Sequence, residues 1–182
     1  MIGWVSYCPT ENRGSSALAA PPRFMGDVAI ARALHVLAVV IWIGGVSMAT
    51  TVALPAVRRG DFGPDLLRAF QVIEHRFVWQ ARTAVFLVGL TGVYMTWRLD
   101  LWERFDSAAF WWMHAMVCVW LLFAFVLFIA EPFILHRHFR RWATERPQAA
   151  FAWLHRAHWL LLVLSVVTIL GAVAGSQGWS IF

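Results

Sequence analysis

Four long stretches of nearly unbroken apolar residues alternate with short polar breaks along the chain. They run from about Val28 to Val57, Phe70 to Trp97, Ala108 to Leu135 and Ala149 to Trp179. Each exceeds the ~20 residues that a helix needs to cross a hydrocarbon core about 30 Å thick. Inside a bilayer the backbone must satisfy itself, so these spans are expected as helices rather than strands. Pro55 and Arg58-Arg59-Gly60 close the first span, and Gly63-Pro64-Asp65 leads toward the second. Arg98 to Ser107 reads as a polar hairpin with Asp106 or Ser107 as the helix N-cap, and Arg137 to Pro147 as the link between spans three and four. Long helices on short connections predict an all-α fold, an integral membrane up-down-up-down four-helix bundle over residues 27–182. Residues 1–26 hold turn formers without an apolar core and read as a loosely ordered extension, with Met25 as an alternative start.

Composition agrees with a lipid environment. Of 182 residues, 60% are hydrophobic and 14% charged, against roughly 25% charged in soluble domains. All fifteen basic residues are arginine, which excludes Schiff-base lysine chemistry and a Walker-type phosphate loop. The net charge of +5 does not point to nucleic acid, because the arginines sit in the breaks between apolar spans, where membrane topology places them. Cys8 and Cys118 are too far apart in pattern for a disulfide framework or a thiolate zinc site.

Arginine also sets orientation. Nine (Arg58, Arg59, Arg68, Arg76, Arg137, Arg140, Arg141, Arg146, Arg156) flank the first and third connections, and five (Arg13, Arg23, Arg32, Arg98, Arg104) flank the other side. That bias puts both termini outside a bacterial-type cytoplasmic (inner) membrane. Trp97, Trp102, Trp111, Trp112 and Trp179 then mark the outer interface, and Trp142, Trp153 and Trp159 the inner one.

Histidine is the chemistry-bearing residue. His35 is the eighth residue of the first span and His114 the seventh of the third, so both fall near the outer face on parallel helices. His75 is the sixth residue of the second span, and His155 and His158 open the fourth, near the inner face. Helices one and three are diagonal in a sequentially connected bundle, as are two and four. Each diagonal pair could clamp a flat ring, and two neutral imidazoles on opposite sides of iron in a dry slot is what a b-type haem requires. The expected ligands are therefore His35 with His114, and His75 with His158, making two haems. His155 is the reserve ligand: it matches His75 better in depth, whereas His158 shares a face with Ser165, Thr168 and Ala172. Lone histidines at helix ends are commonly interfacial, and His136 and His138 read that way, as loop residues facing headgroups.

Three further residues are costly in lipid. His75, Arg82, Gly89 and Thr96 recur at sevens, and glycine on that stripe would make room for a planar ligand. Arg82 needs a haem propionate or Glu131 as its partner, or else snorkels inward. Arg32, one turn before His35, could hold a propionate of the outer haem. Glu131-Pro132 reads either as a proton-handling, quinone-side group or as a kink beside a solvated acid.

The stretch ALHVLAVVIWIGGVSMATTVALPAV, with its histidine, W-x-G-G turn and closing proline, resembles the opening helix of CopD-like membrane proteins. HRFVWQARTAVFLVGLTGVY is similar to that group's second helix. The resemblance implies either copper handling or, through the distantly similar HemJ group, haem-dependent oxidation of a porphyrin. The chain has no methionine-rich extramembrane motif and no lysine, unlike what those two roles lead one to expect. The leading expectation is a di-haem b-type cytochrome carrying electrons across or along the bilayer. It would exchange them with quinone, as a quinone oxidoreductase, or with partner redox subunits, or act as a homodimer. The alternatives are a copper transport or tolerance protein using His35, Met48, His114 and Met116, a haem-dependent membrane oxidase, and a structural subunit whose histidines bind nothing.

Overall fold

The computed structural model describes residues 23–63 and 65–178. Among them there is no strand, and four long helical runs account for most of the chain. The first run is α1 (Arg23–Met48), a π-helical stretch (Ala49–Ala53) and α2 (Leu54–Arg59). The second is α3 (Leu66–Arg98). The third joins short 3-10 turns at 102–110 to α4 (Trp111–Phe125), a π-helical stretch (Val126–Leu135) and α5 (His136–Glu145). The fourth is α6 (Pro147–Ser176).

Several expected boundaries move. The first helix begins at Arg23, inside the segment read as a loose extension, while residues 1–22 lie outside the described residues, as do Pro64 and Trp179. Pro55 does not end the first run: it sits in the opening turn of α2, where its missing N–H is tolerated. The chain turns instead at Gly60, which takes the left-handed conformation (φ 79°) and returns its N–H to Ala56 and Val57. Asp65 caps α3 by accepting from the Arg68 N–H at 3.0 Å. Of the two N-cap candidates before the third run, Ser107 does the work, accepting from Ala109 at 3.3 Å. The Arg137–Pro147 link is not a loop. It is the amphipathic α5, placing His136 and His138 in a helix, and only Arg146 breaks the backbone (φ −140°, ψ 70°) before α6.

Runs one and two pack most closely, two against three, three against four, and four back against one. Ala38, Trp42 and Val46 from the first run meet Val85 and Val88, Phe123 and Leu162 from the other three in one core. Trp42 and Phe123 meet edge to face at 4.8 Å, closing the middle of the molecule with aromatic rings. A second core at the end where α2 closes the first run joins Leu54, Val57, Ala143 and Phe151, and Phe70, Phe139 and Phe151 form a ring triad that ties α5 to the rest.

Three helices, 26–59, 108–133 and 147–176, are long and apolar enough to cross a membrane. Their outer surfaces suit lipid: Val40, Phe125, Leu160 and Leu170 are all exposed. The second run is less apolar, since Arg82 stands at its middle.

Glycine shapes the helix contacts. A Cβ on Gly45 would collide with Phe77, one on Gly89 with Trp120, and those on Gly171 and Gly175 with Trp111 and Trp112. The Gly89 notch thus holds a neighbouring indole and not a planar ligand. Trp111 and Trp112, expected as interface markers, are likewise packed into the fourth run. Trp97, Trp153 and Trp159 are exposed as interface residues should be. We expect Gly89→Ala to lower stability by about 1–3 kcal/mol through overpacking. Gly44→Ala, where a Cβ meets nothing within 4 Å, should change it by less than about 0.5 kcal/mol. Unfolding of both variants in mixed micelles checks the contrast.

Candidate functional site

Two prolines organise the polar contacts between helices. In the first π-helical stretch the Leu54 N–H bonds the carbonyl of Ala49, five residues back. The next donor in that register would be Pro55, which has no N–H, so the carbonyl of Thr50 is left without a partner. His155 on α6 fills the gap: its Nε2–H donates to Thr50 O at 2.9 Å. The second stretch repeats the device. Pro132 stands five residues after Leu127, and Arg82 on α3 donates Nε–H to Leu127 O at 3.0 Å. The same guanidinium donates through Nη2 to Glu131 at 2.6 Å, with the two side chains 24% and 19% exposed. Of the partners open to Arg82, the protein supplies Glu131.

The hydrogen-bond network fixes the histidine tautomers. His35 on α1 is half-buried, 2.9 Å from the Thr91 hydroxyl, and packs on Gly92 of α3. Thr91 already donates to Leu87 O at 2.6 Å, so His35 Nδ1–H is the donor and Nε2 keeps its lone pair. His158 is also half-buried and donates Nδ1–H to Leu154 O at 3.0 Å, again leaving Nε2 uncommitted. Its helix face carries buried Ser165 and Thr168, as its spacing requires. His155 differs, because both nitrogens are used: Nε2–H on Thr50 O, and Nδ1 accepting from Arg58 at 3.1 Å. The Trp159 indole directs its Nε1–H at the same Nε2 from 3.0 Å, so that the Thr50 carbonyl and the indole share this atom.

The remaining candidates lie further out. His114 is exposed, donates Nε2–H to Phe105 O at 3.0 Å, and stands edge-on to the Phe105 ring. His75 and Arg32 are exposed on α3 and α1. His35 is turned onto α3, and His114 onto the turn before α4. The copper set is not gathered, since Met48 lies thirteen residues beyond His35 on one helical run, about 20 Å along the axis. Among the described residues no three of His, Cys, Asp and Glu form a metal-holding group, though a haem iron needs only one or two imidazoles.

Two features escaped the sequence reading. Thr91, which orients His35, had no signal beyond its place in an apolar run. At the end where α1 begins, Asp27 accepts from the Tyr94 hydroxyl at 3.0 Å and pairs with Arg98 at 3.5 Å, pinning α1 to α3. Among the described residues, Trp42 Nε1 is the buried side-chain nitrogen without a hydrogen-bond partner.

No family model, curated protein or solved structure matches the chain.

The proline account makes a coupling prediction. His155→Ala strands the Thr50 carbonyl and should cost about 1–3 kcal/mol. In a Pro55→Ala background, where the chain supplies an N–H of its own, the same change should cost at least about 1 kcal/mol less. A double-mutant cycle of unfolding free energies gives the difference, and strict additivity would reject the link.

Proposed function

We propose that the chain is a four-span, up-down-up-down integral membrane protein that holds haem b at two levels and carries electrons between them. One observation carries this reading. His35 and His158 are half-buried imidazoles that fix Nδ1–H on a protein acceptor and leave the Nε2 lone pair unspent in apolar surroundings. A metal-ligating histidine takes that arrangement: the outer hydrogen bond sets tautomer and ring orientation and raises ligand basicity. An imidazole confined to lipid with an idle acceptor is otherwise an uncompensated polar group.

The donor chemistry fits haem b at these two atoms. When bound, the group supplies a one-electron couple whose potential follows axial ligation and burial. The residues supply position. His155 pairs with Thr50 across antiparallel helices, so the α6 residue level with His35 is close to 170. His158 is twelve residues below that, giving two levels about 18 Å apart. Trp42 and Phe123 lie between the levels, an apolar aromatic divider. His114, whose Nδ1 is uncommitted, and His75 would be the second residues to hold the two groups, and Arg32 would meet an acidic edge of the outer one. His155 is not proposed as a ligand, because both its nitrogens serve the proline-broken first run. Arg82 likewise serves the third run and Glu131. The second run spans with its charge compensated in this way. Copper handling of the CopD type and porphyrin oxidation rest on the resemblance alone, with no geometric observation favouring them.

Purified protein should show a dithionite-reduced minus oxidised spectrum with b-type alpha and Soret bands. His35→Ala and His158→Ala should each remove about half of the absorbance, and the double variant all of it. His155→Ala should keep both bands at reduced thermal stability. Full bands in the double variant would sink the assignment. Orientation is tested separately: a reporter active only in the cytoplasm, fused after Phe182, should be silent, and strong activity would invert the topology.

A further inference from the structure

Arg82 lies at the centre of α3, sixteen residues from Leu66 and sixteen from Arg98, or about 24 Å of helix in either direction. A guanidinium has five N–H donors, and among the described residues two of them have acceptors: Leu127 O and Glu131. The side chains of the pair are 24% and 19% exposed, so the ion pair is not sealed inside the protein. It opens on the lipid side. Trp79 and Phe86, three residues before and four after Arg82 on the same stretch of α3 surface, are each 65% exposed. On the third run Phe128 is 42% exposed, three residues before Glu131 and next to Leu127. The polar centre therefore sits in a groove between the second and third runs, rimmed by aromatic rings that face hydrocarbon.

We propose that this groove binds the carbonyl-bearing ring of an isoprenoid quinone dissolved in the bilayer. The proposal rests on the membrane-spanning, electron-carrying reading above and names its exchange partner. Depth selects the class of ligand. Lipid phosphates and ester carbonyls lie at the edges of the ~30 Å core, whereas Arg82 stands about 24 Å along its helix from either end, between exposed apolar rings. An acceptor arriving there must be carried by a molecule soluble in hydrocarbon. A quinone ring fits on three counts: its carbonyl oxygen takes an unspent Arg82 N–H, its flat face stacks on Phe86 or Phe128, and its prenyl tail stays in lipid. A charge-assisted hydrogen bond in a medium without water is also stronger than a neutral one.

The test is isothermal titration of detergent-purified full-length protein with decylubiquinone. Wild type should bind one equivalent saturably. The charge-neutral double variant Arg82→Gln/Glu131→Gln, whose glutamine amide can still cap Leu127 O, should bind about tenfold or more weakly, as expected for loss of a hydrogen bond from a charged donor. Phe86→Ala changes only the lipid-facing surface, so folding is preserved, and should weaken binding several-fold. Trp97→Ala, at the outer end of the same face, should leave it unchanged. Absence of saturable binding to wild type, or wild-type affinity in both Phe86→Ala and the double variant, overturns the proposal. Haem content is read from the same samples by difference spectrum. Binding with this variant pattern by protein that lacks haem bands would reject the cytochrome and keep the groove; haem bands without binding would reject the groove alone.

Discussion

A carbonyl that loses its helical donor inside hydrocarbon has no water to fall back on, and this chain creates two such carbonyls with Pro55 and Pro132. Each proline lies in or just beyond a π-helical stretch, five residues after the oxygen it fails to serve. Each stranded oxygen is met by a side chain from another run, His155 for Thr50 and Arg82 for Leu127. An unsatisfied group of this kind costs about 1–3 kcal/mol or more in an apolar interior. The two contacts therefore fix which helices are neighbours and at what axial offset. Run four is locked to run one and run two to run three, and the aromatic cores fill the space that this alignment leaves. Glycine notches at 45, 89, 171 and 175 let whole rings enter between helices, which is why those contacts hold side chains of the protein itself.

The same accounting separates the histidines by role. His155 and His114 give their Nε2–H to backbone carbonyls, and His155 also accepts from Arg58, so His155 has nothing left for a ligand. His35 and His158 spend only Nδ1. Arg82 is similar among the cations: it caps a carbonyl, neutralises Glu131 and still has donors in hand. Where a membrane protein satisfies nearly every buried polar atom, those left half-used mark the places prepared for something else. That logic joins the proposed haem-holding histidines and the proposed quinone groove in one reading.

How much of this was legible in the sequence follows from the range of the forces involved. Helix existence was legible, because hydrophobic length is a local property; the four runs fall where the apolar stretches lie, and Asp65 and Ser107 cap as their types suggest. The inward face of α6 was legible from Ser165 and Thr168, and Glu131 stood among the possible partners of Arg82. Pro55 was misleading, because proline usually ends a helix and only a neighbour's side chain reveals that the run continues. The amphipathic α5 reads as a loop in the sequence because arginine and histidine dominate HRHFRR, while Phe139 and Trp142 are what pack it down. Gly89 suggested space for a ligand, and the competing occupant, Trp120, comes from another helix. Thr91 turns His35 onto the adjacent helix, a contact between residues 56 positions apart that no local pattern announces.

The central proposal is that His35 and His158 would hold haem b through their idle Nε2 atoms at two levels of the molecule. Pyridine haemochrome assay on protein purified without added haem, quantified against amino-acid analysis, measures it directly. The account predicts about two haem b per chain. A folded, helical protein with no haem would contradict it.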